Sequence, residues 1–249
     1  MKLAQDFLVE IPVLRFNDRL TKARQILRDD RFREVYVVND RKKLLGFVDI
    51  TDGLRVTATK SNVTVEGFVK DAAEVYREDT VEQLARQIRK FRTDSAVVID
   101  KERFVIGGVL LSDIFPVIVS RNKLHGTVKD FMSRTVVAAQ ATDTIQHVYT
   151  LVLESGYSAF PVLKKKKLAG MISRRDLIAG GRVRTTLTNA ARATVESLMV
   201  RDVFTIGPDE AISTAADLLV RHDVSRLPVL EGESLVGIVS RHDVLSGLR

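Results

Sequence analysis

Hydrophobic and polar positions follow one order four times along the chain. In the last copy, Val203-Phe204-Thr205-Ile206 reads as a short strand and Gly207-Pro208-Asp209-Glu210 as a turn. Ile212, Ala215, Ala216, Leu219 and Val220 then recur at helical spacing and form one apolar face. A β-rich run, Leu227-Pro228-Val229-Leu230, leads through the polar turn Glu231-Gly232-Glu233-Ser234 to a second strand with Leu235, Val236, Ile238 and Val239. That strand runs into Ser240-Arg241-His242-Asp243, where a hydroxyl at a helix N-cap and a carboxylate three residues on predict a capping box. The earlier copies predict helices from Leu20, Val81 and Ile145, and first hairpin strands at 35–38, 96–99 and 159–163.

A Gly-x-x-x-x-x-Asp pattern aligns the copies, as Gly46…Asp52, Gly107…Asp113, Gly170…Asp176 and Gly237…Asp243. Each copy is therefore a β-α-β-β-α unit of an α+β fold. At roughly 55–60 residues it is small for independent stability, so two copies are expected to bury a shared sheet face. Polar joints fall at Thr57-Ala58-Thr59-Lys60-Ser61-Asn62, at Ser120-Arg121-Asn122-Lys123, and at Gly180-Gly181-Arg182 with a basic connector to Thr194. The main boundary is placed near residue 121. It gives one module over 1–121, with repeats at about 8–57 and 66–120, and a second over 122–249, with repeats at about 127–181 and 194–249.

Composition narrows the function. Of 249 residues, 45% are hydrophobic and 29% charged, a globular balance, and the absence of Cys excludes disulfides, thiolate metal sites and a Cys nucleophile. The opening Met1-Lys2-Leu3-Ala4-Gln5-Asp6 has no secretory apolar run, which leaves a cytoplasmic expectation. The run from Phe104 to Ser120 approaches the length of a membrane span, but Gly107-Gly108, Asp113 and Pro116 interrupt it, so a strand and a short helix are expected and no membrane. A net charge of +7 suits nucleic acid, acidic lipid or small polyanions such as nucleotides, or simply a solvated surface rich in Arg. Enzyme chemistry finds little support. His125, His147, His222 and His242 include no pair at metal-ligand spacing, and there is neither a phosphate loop nor a dinucleotide fingerprint. His222-Asp223 and His242-Asp243 are neighbours in sequence, which on a helix do not face one another. No catalysis, no metal and no obligatory cofactor are expected.

The fourth copy, with Val224-Ser225-Arg226-Leu227-Pro228-Val229 followed by Gly237 to Asp243, resembles a CBS (cystathionine-β-synthase) domain. So does the third, with Tyr157-Ser158-Ala159-Phe160-Pro161-Val162 followed by Gly170-Met171-Ile172-Ser173-Arg174-Arg175-Asp176. The openings Thr127-Val128-Lys129-Asp130-Phe131-Met132 and Thr194-Val195-Glu196-Ser197-Leu198-Met199 match the family's usual start, while copies one and two match by spacing but lack the Pro and the hydroxyl. The resemblance implies four CBS repeats in two tandem modules, disc-like overall, similar to the regulatory γ subunit of AMP-activated protein kinase and its archaeal relatives. It also implies a non-catalytic regulatory protein, an energy sensor, that binds AMP, ADP, ATP or S-adenosylmethionine between paired repeats. Occupancy would be passed to an unidentified regulated partner, from a monomeric disc or a homodimer.

The resemblance further assigns the ligand residues. Asp243 and Asp176 would accept the ribose hydroxyls, while Ser240 and Ser173, with adjacent backbone N–H groups, would meet the α-phosphate. Asp243 would share a cleft with Tyr157 and Ser158, and Asp176 one with Thr205, Val224, Ser225 and Arg226. Arg226 would bind a phosphate through its guanidinium fork, and its counterpart Ala159 would make the two clefts unequal. Arg241, Arg174 and Arg175, with His242, lie in a first helical turn, where a cation opposes the helix dipole; a bound phosphate or simple exposure to solvent would relieve that conflict. In the first module Asp49 and Leu110 replace the hydroxyl, and Glu34, Asp94 and Glu74 add negative charge. Asp52 and Asp113 are therefore weaker candidates, and this half reads as mainly structural. Two other readings compete with the sensor. One is nucleic-acid binding by Arg182, Arg184, Arg192 and the 164–167 lysines, although no aromatic residues interleave them for base stacking. The other is an assembly module with empty clefts.

Overall fold

The structure is a computed structural model that describes residues 1–27, 31–55, 62–179 and 193–248. The joint at 57–61 and the basic connector with Gly180, Gly181, Arg182, Arg184 and Arg192 lie outside the described residues. The chain divides into two compact units, Met1–Arg121 and Asn122–Arg249.

In the first unit, repeat 1 comprises β1 (Val13–Arg15), α1 (Leu20–Ile26), β2 (Glu34–Val38), β3 (Leu44–Asp49) and α2 (Ile50–Arg55). Repeat 2 comprises β4 (Glu74–Val75), α3 (Val81–Phe91), β5 (Ser95–Ile99), β6 (Val105–Leu110) and α4 (Leu111–Arg121). Each sheet runs in chain order, with its first strand parallel and its third antiparallel to the middle one. The middle strands β2 and β5 are buried at every position, as expected of strands covered on both faces. Ile11, Tyr36, Leu44, Phe47, Ala72, Val97 and Ile99 pack into one cluster from both repeats, which supplies the shared core that one repeat is too small to form.

The second unit repeats this plan. Repeat 3 has α5 (Val128–Phe131), β7 (Ala139–Gln140), α6 (Ile145–Ser155), β8 (Ala159–Lys164), β9 (Lys167–Ser173) and α7 (Arg174–Ala179). Repeat 4 has α8 (Ile212–Arg221), β10 (Arg226–Glu231), β11 (Ser234–Ser240) and α9 (Arg241–Ser246). All four hairpins shift register at the same place, after Val37, Val98, Val162 and Val229. The strand expected at 203–206 shrinks to one parallel bridge, Ile206 to Val229. Pro228, which has no N–H, stands where Tyr36 donates to the Pro12 carbonyl, and on the other side of the bridge the pairing is ended by Pro208. Its counterparts Phe16 and Ala141 donate backbone N–H bonds to Val38 and Leu163, and proline has no N–H to donate.

The opening segment of each repeat pairs with the other repeat of its unit. Val9 bridges Gly108 and Lys70 bridges Phe47 in the first unit; Ser133 bridges Ile238 and Val200 bridges Met171 in the second. This exchange accounts for two of the aligned glycines in particular. A Cβ on Gly170 would lie 2.6 Å from the Val200 carbonyl oxygen, and one on Gly46 would lie 2.1 Å from that of Lys70. Backbone passes over backbone at these points, and a side chain would separate them.

Candidate functional site

In the second unit the hairpin carries each hydroxyl to the start of a short helix. Ser240 closes β11 and caps α9: its N–H and hydroxyl donate to Asp243 Oδ2 at 2.8 and 2.7 Å, and its oxygen accepts from the Asp243 N–H at 3.3 Å. Ser173 and Asp176 make the same three bonds at 2.7, 2.7 and 3.4 Å. Each turn thus presents a half-buried carboxylate whose Oδ1 takes no part in the cap.

The strips before β8 and β10 meet across the seam between repeats 3 and 4. Within its own hairpin Arg226 stands opposite Ser240, just as Ala159 stands opposite Ser173. The Arg226 guanidinium reaches the other repeat and donates to the Ser158 hydroxyl. Thr205 lies one residue before the Ile206 bridge, and Val224 and Ser225 lead into β10. Tyr157 is exposed, with its ring edge-on to Phe160. The structure therefore brings Ser158 and Arg226 together, whereas each serine–aspartate pair bonds within its own turn.

Two arginines are placed differently from expectation. Arg174 is buried rather than solvated, and its guanidinium donates to the carbonyls of Gly156 and Tyr157, at the C-terminal end of α6. Arg241 likewise reaches the Leu219 carbonyl at 3.4 Å and Asp223 at 2.7 Å, at the end of α8. Carbonyls at a helix C-terminus carry partial negative charge, so each cation is stabilised by the preceding helix of its own repeat. The conflict with the helix dipole is relieved inside the chain, without a phosphate. Arg175 and His242 occupy the next position of their helices and are half-buried.

The first unit fills the same places with acids. Asp49 takes the serine position and caps α2 by accepting the Thr51 and Asp52 N–H groups at 2.7 and 3.3 Å. Lys70, from the opening segment of repeat 2, closes on both carboxylates, 2.7 Å from Asp52 and 3.1 Å from Asp49. Burial and the Asp49 charge push the Asp52 pKa up, and the Lys70 ammonium works against them. Glu34, opposite Asp49, takes the register position of Arg226 and so puts an acid where the second unit has a guanidinium. Leu110 stands at the fourth hydroxyl position, Asp113 is exposed, and Glu74 is paired with Arg103. Lys70 was not legible as a site residue, because one sequence gives no sign that a lysine in one repeat's opening segment lies against the turn of the other.

The lysine-rich turn of β8–β9 is drawn into the second unit's own contacts. Lys164 pairs with Glu196 at 2.7 Å and Lys167 with Glu233 at 2.6 Å, both across the repeats. Such half-exposed pairs add little stability, but they place carboxylates within the basic turn. Among the described residues no helix is long and apolar enough to cross a membrane.

Comparison with known proteins matches the CBS domain family model to residues 7–58, 128–180 and 195–249. Protein MJ1225 of Methanocaldococcus jannaschii is 23% identical over 98% of this chain and 97% of its own length. Its crystal structure, described as that of a proposed archaeal homolog of g-AMPK, superposes with a TM-score of 0.82 at 17% identity over 98% of this chain and 99% of that one. The CBS domain-containing protein YhcV of Bacillus subtilis is 30% identical over 47% of this chain and 82% of its own length. An inosine-5'-monophosphate dehydrogenase of Korarchaeum cryptofilum is 28% identical over 51% of this chain, which spans only 25% of that enzyme.

Proposed function

The chain belongs to the CBS domain family, and on that premise we propose that its second unit is a regulatory module that binds an adenosine-containing ligand. One observation carries the reading. Both hydroxyl–carboxylate turns are intact in that unit, and Arg226 spans the seam beside them, whereas the first unit has Asp49, Leu110 and Glu34 in the matching places. The Ser240 and Ser173 hydroxyls donate to the aspartates within their own turns. A phosphate oxygen would take over those hydroxyl protons and the N–H groups of the helix start, and release the carboxylates to accept ribose hydroxyls. Arg226 would leave Ser158 for the phosphate and bind it with two parallel N–H bonds.

The two clefts are unequal in this account. The one that joins Asp176 to Thr205, Val224, Ser225 and Arg226 favours a charged phosphate. The one that joins Asp243 to Tyr157 and Ser158 has Ala159 in place of the arginine and favours the nucleoside part. Arg175 and His242 lie at the rims of the two turns. AMP, ADP, ATP and S-adenosylmethionine are the ligands considered, and occupancy would act on a regulated partner by favouring one arrangement of the module over another. The first unit, with Asp52 neutralised by Lys70, serves as scaffold. Isothermal titration of the full chain with AMP, ATP and S-adenosylmethionine tests the proposal. Heat that is lost in D176N and D243N supports it, and no heat from any of the three at millimolar ligand refutes it.

A further inference from the structure

Glu34, the first residue of β2, has its carboxyl enclosed in the seam between repeats 1 and 2. Oε1 accepts from the Asp94 N–H at 2.8 Å, and Oε2 lies 2.7 Å from the Ser95 hydroxyl, which donates to it when Glu34 is ionised and turns to accept from it when Glu34 is protonated. The Tyr36 hydroxyl lies 2.7 Å from the same Ser95 oxygen, so a single buried network ties the two middle strands together. Asp94, from the turn before β5, and Asp49, across the β2–β3 ladder, set like charges against Glu34. Lys70 is held by Asp49 and Asp52.

We propose that Glu34 is a proton-operated latch of the first unit: protonated, it holds repeats 1 and 2 closed, and the seam loosens as pH rises because opening releases the proton. A charge at this position would be shielded from water and set against two like charges, so the closed unit retains the proton. Burial, reinforced by Asp94, pushes the carboxyl up to about 8 from its ordinary 4.5. Opening returns it to water and to the ordinary value. Between those two values the open state binds fewer protons, so the opening equilibrium rises by about tenfold per pH unit. Above the closed-state value both states are ionised and the slope vanishes; below the ordinary value both are protonated and it vanishes again. Acidification through neutrality therefore tightens the first unit.

Hydrogen exchange of the full chain, followed by mass spectrometry from about pH 6 to about pH 9 and corrected for base catalysis, reads the latch directly. In the wild type, the opening constants of β2 and β5 should rise by about tenfold per unit and level off near the top of the range, while those of β8 and β10 hold steady. E34Q keeps the site uncharged, and the Ser95 hydroxyl can turn to accept from the new amide; its β2 and β5 slope should vanish. A slope that survives in E34Q, or one missing from the wild type, overturns the proposal. Should E34Q fail to fold, NMR titration of the carboxyl carbons in the wild type decides: a Glu34 midpoint far above the ordinary range supports the latch, and one within it refutes the latch.

Discussion

Gly170→Ala tests whether the exchanged opening segments hold the second unit together. The new methyl would sit 2.6 Å from the Val200 carbonyl oxygen and 3.0 Å from the Met199 sulfur. The sulfur can swing away, but the carbonyl belongs to a bridge in which Met171 and Val200 exchange two backbone hydrogen bonds of 2.9 Å. Relief requires the segment to lift. Overpacking of this kind costs about 1–3 kcal/mol, and each weakened backbone bond up to about 1 kcal/mol more. The expected loss is therefore about 2–4 kcal/mol, on the order of 10 °C in Tm for a unit of this size. Gly232→Ala serves as the control, since it has φ +59 and open space around the Cβ. Its cost is backbone strain alone, about 1 kcal/mol. Urea unfolding of both variants, followed by circular dichroism, gives the comparison. A Gly170→Ala loss no greater than that of Gly232→Ala would refute the role assigned to the exchange.

Two further outcomes are expected. Arg226→Ala removes a charge-assisted contact worth about 1.5–3 kcal/mol, so AMP affinity measured by calorimetry should fall by roughly 10–100-fold while adenosine affinity changes little; equal losses for both ligands would count against a phosphate role. Lys70→Met removes an ammonium from Asp49 and Asp52, and because the lysine is partly exposed the cost should be about 1 kcal/mol at neutral pH. That cost should shrink on acidification, since the already raised Asp52 pKa rises further and protonation removes the repulsion. Denaturation midpoints that keep the same gap at acid and neutral pH would contradict it.

The repeat grammar was legible because strand and helix periodicities differ and the turn chemistry recurs. Ile212, Ala215, Ala216 and Leu219 form a buried helix face, as their spacing predicts. The Ser240–Asp243 capping box was legible for the same reason, since its partners are three residues apart. What escaped depends on distance along the chain. Arg174 reaches a helix end that lies 17 and 18 positions earlier, and Lys70 reaches carboxylates in another repeat. The aligned glycines marked the repeat, but their reason, a backbone crossing from the partner repeat, exists only in the folded pair. The lost strand at 203–206 was within reach, because Pro228 stands where Tyr36 donates a bond and Pro208 where Phe16 and Ala141 do.

The central claim, a ligand site confined to the second unit, is tested most directly by amide NMR shifts of the full chain titrated with AMP. The account predicts shifts around Tyr157 and Ser158, Ser173 to Asp176, Thr205, Ser225 and Arg226, and Ser240 to Asp243, with the amides of Asp49 to Asp52 and Leu110 to Asp113 unmoved. Shifts centred on the first unit, or none in the second at saturating AMP, would contradict it.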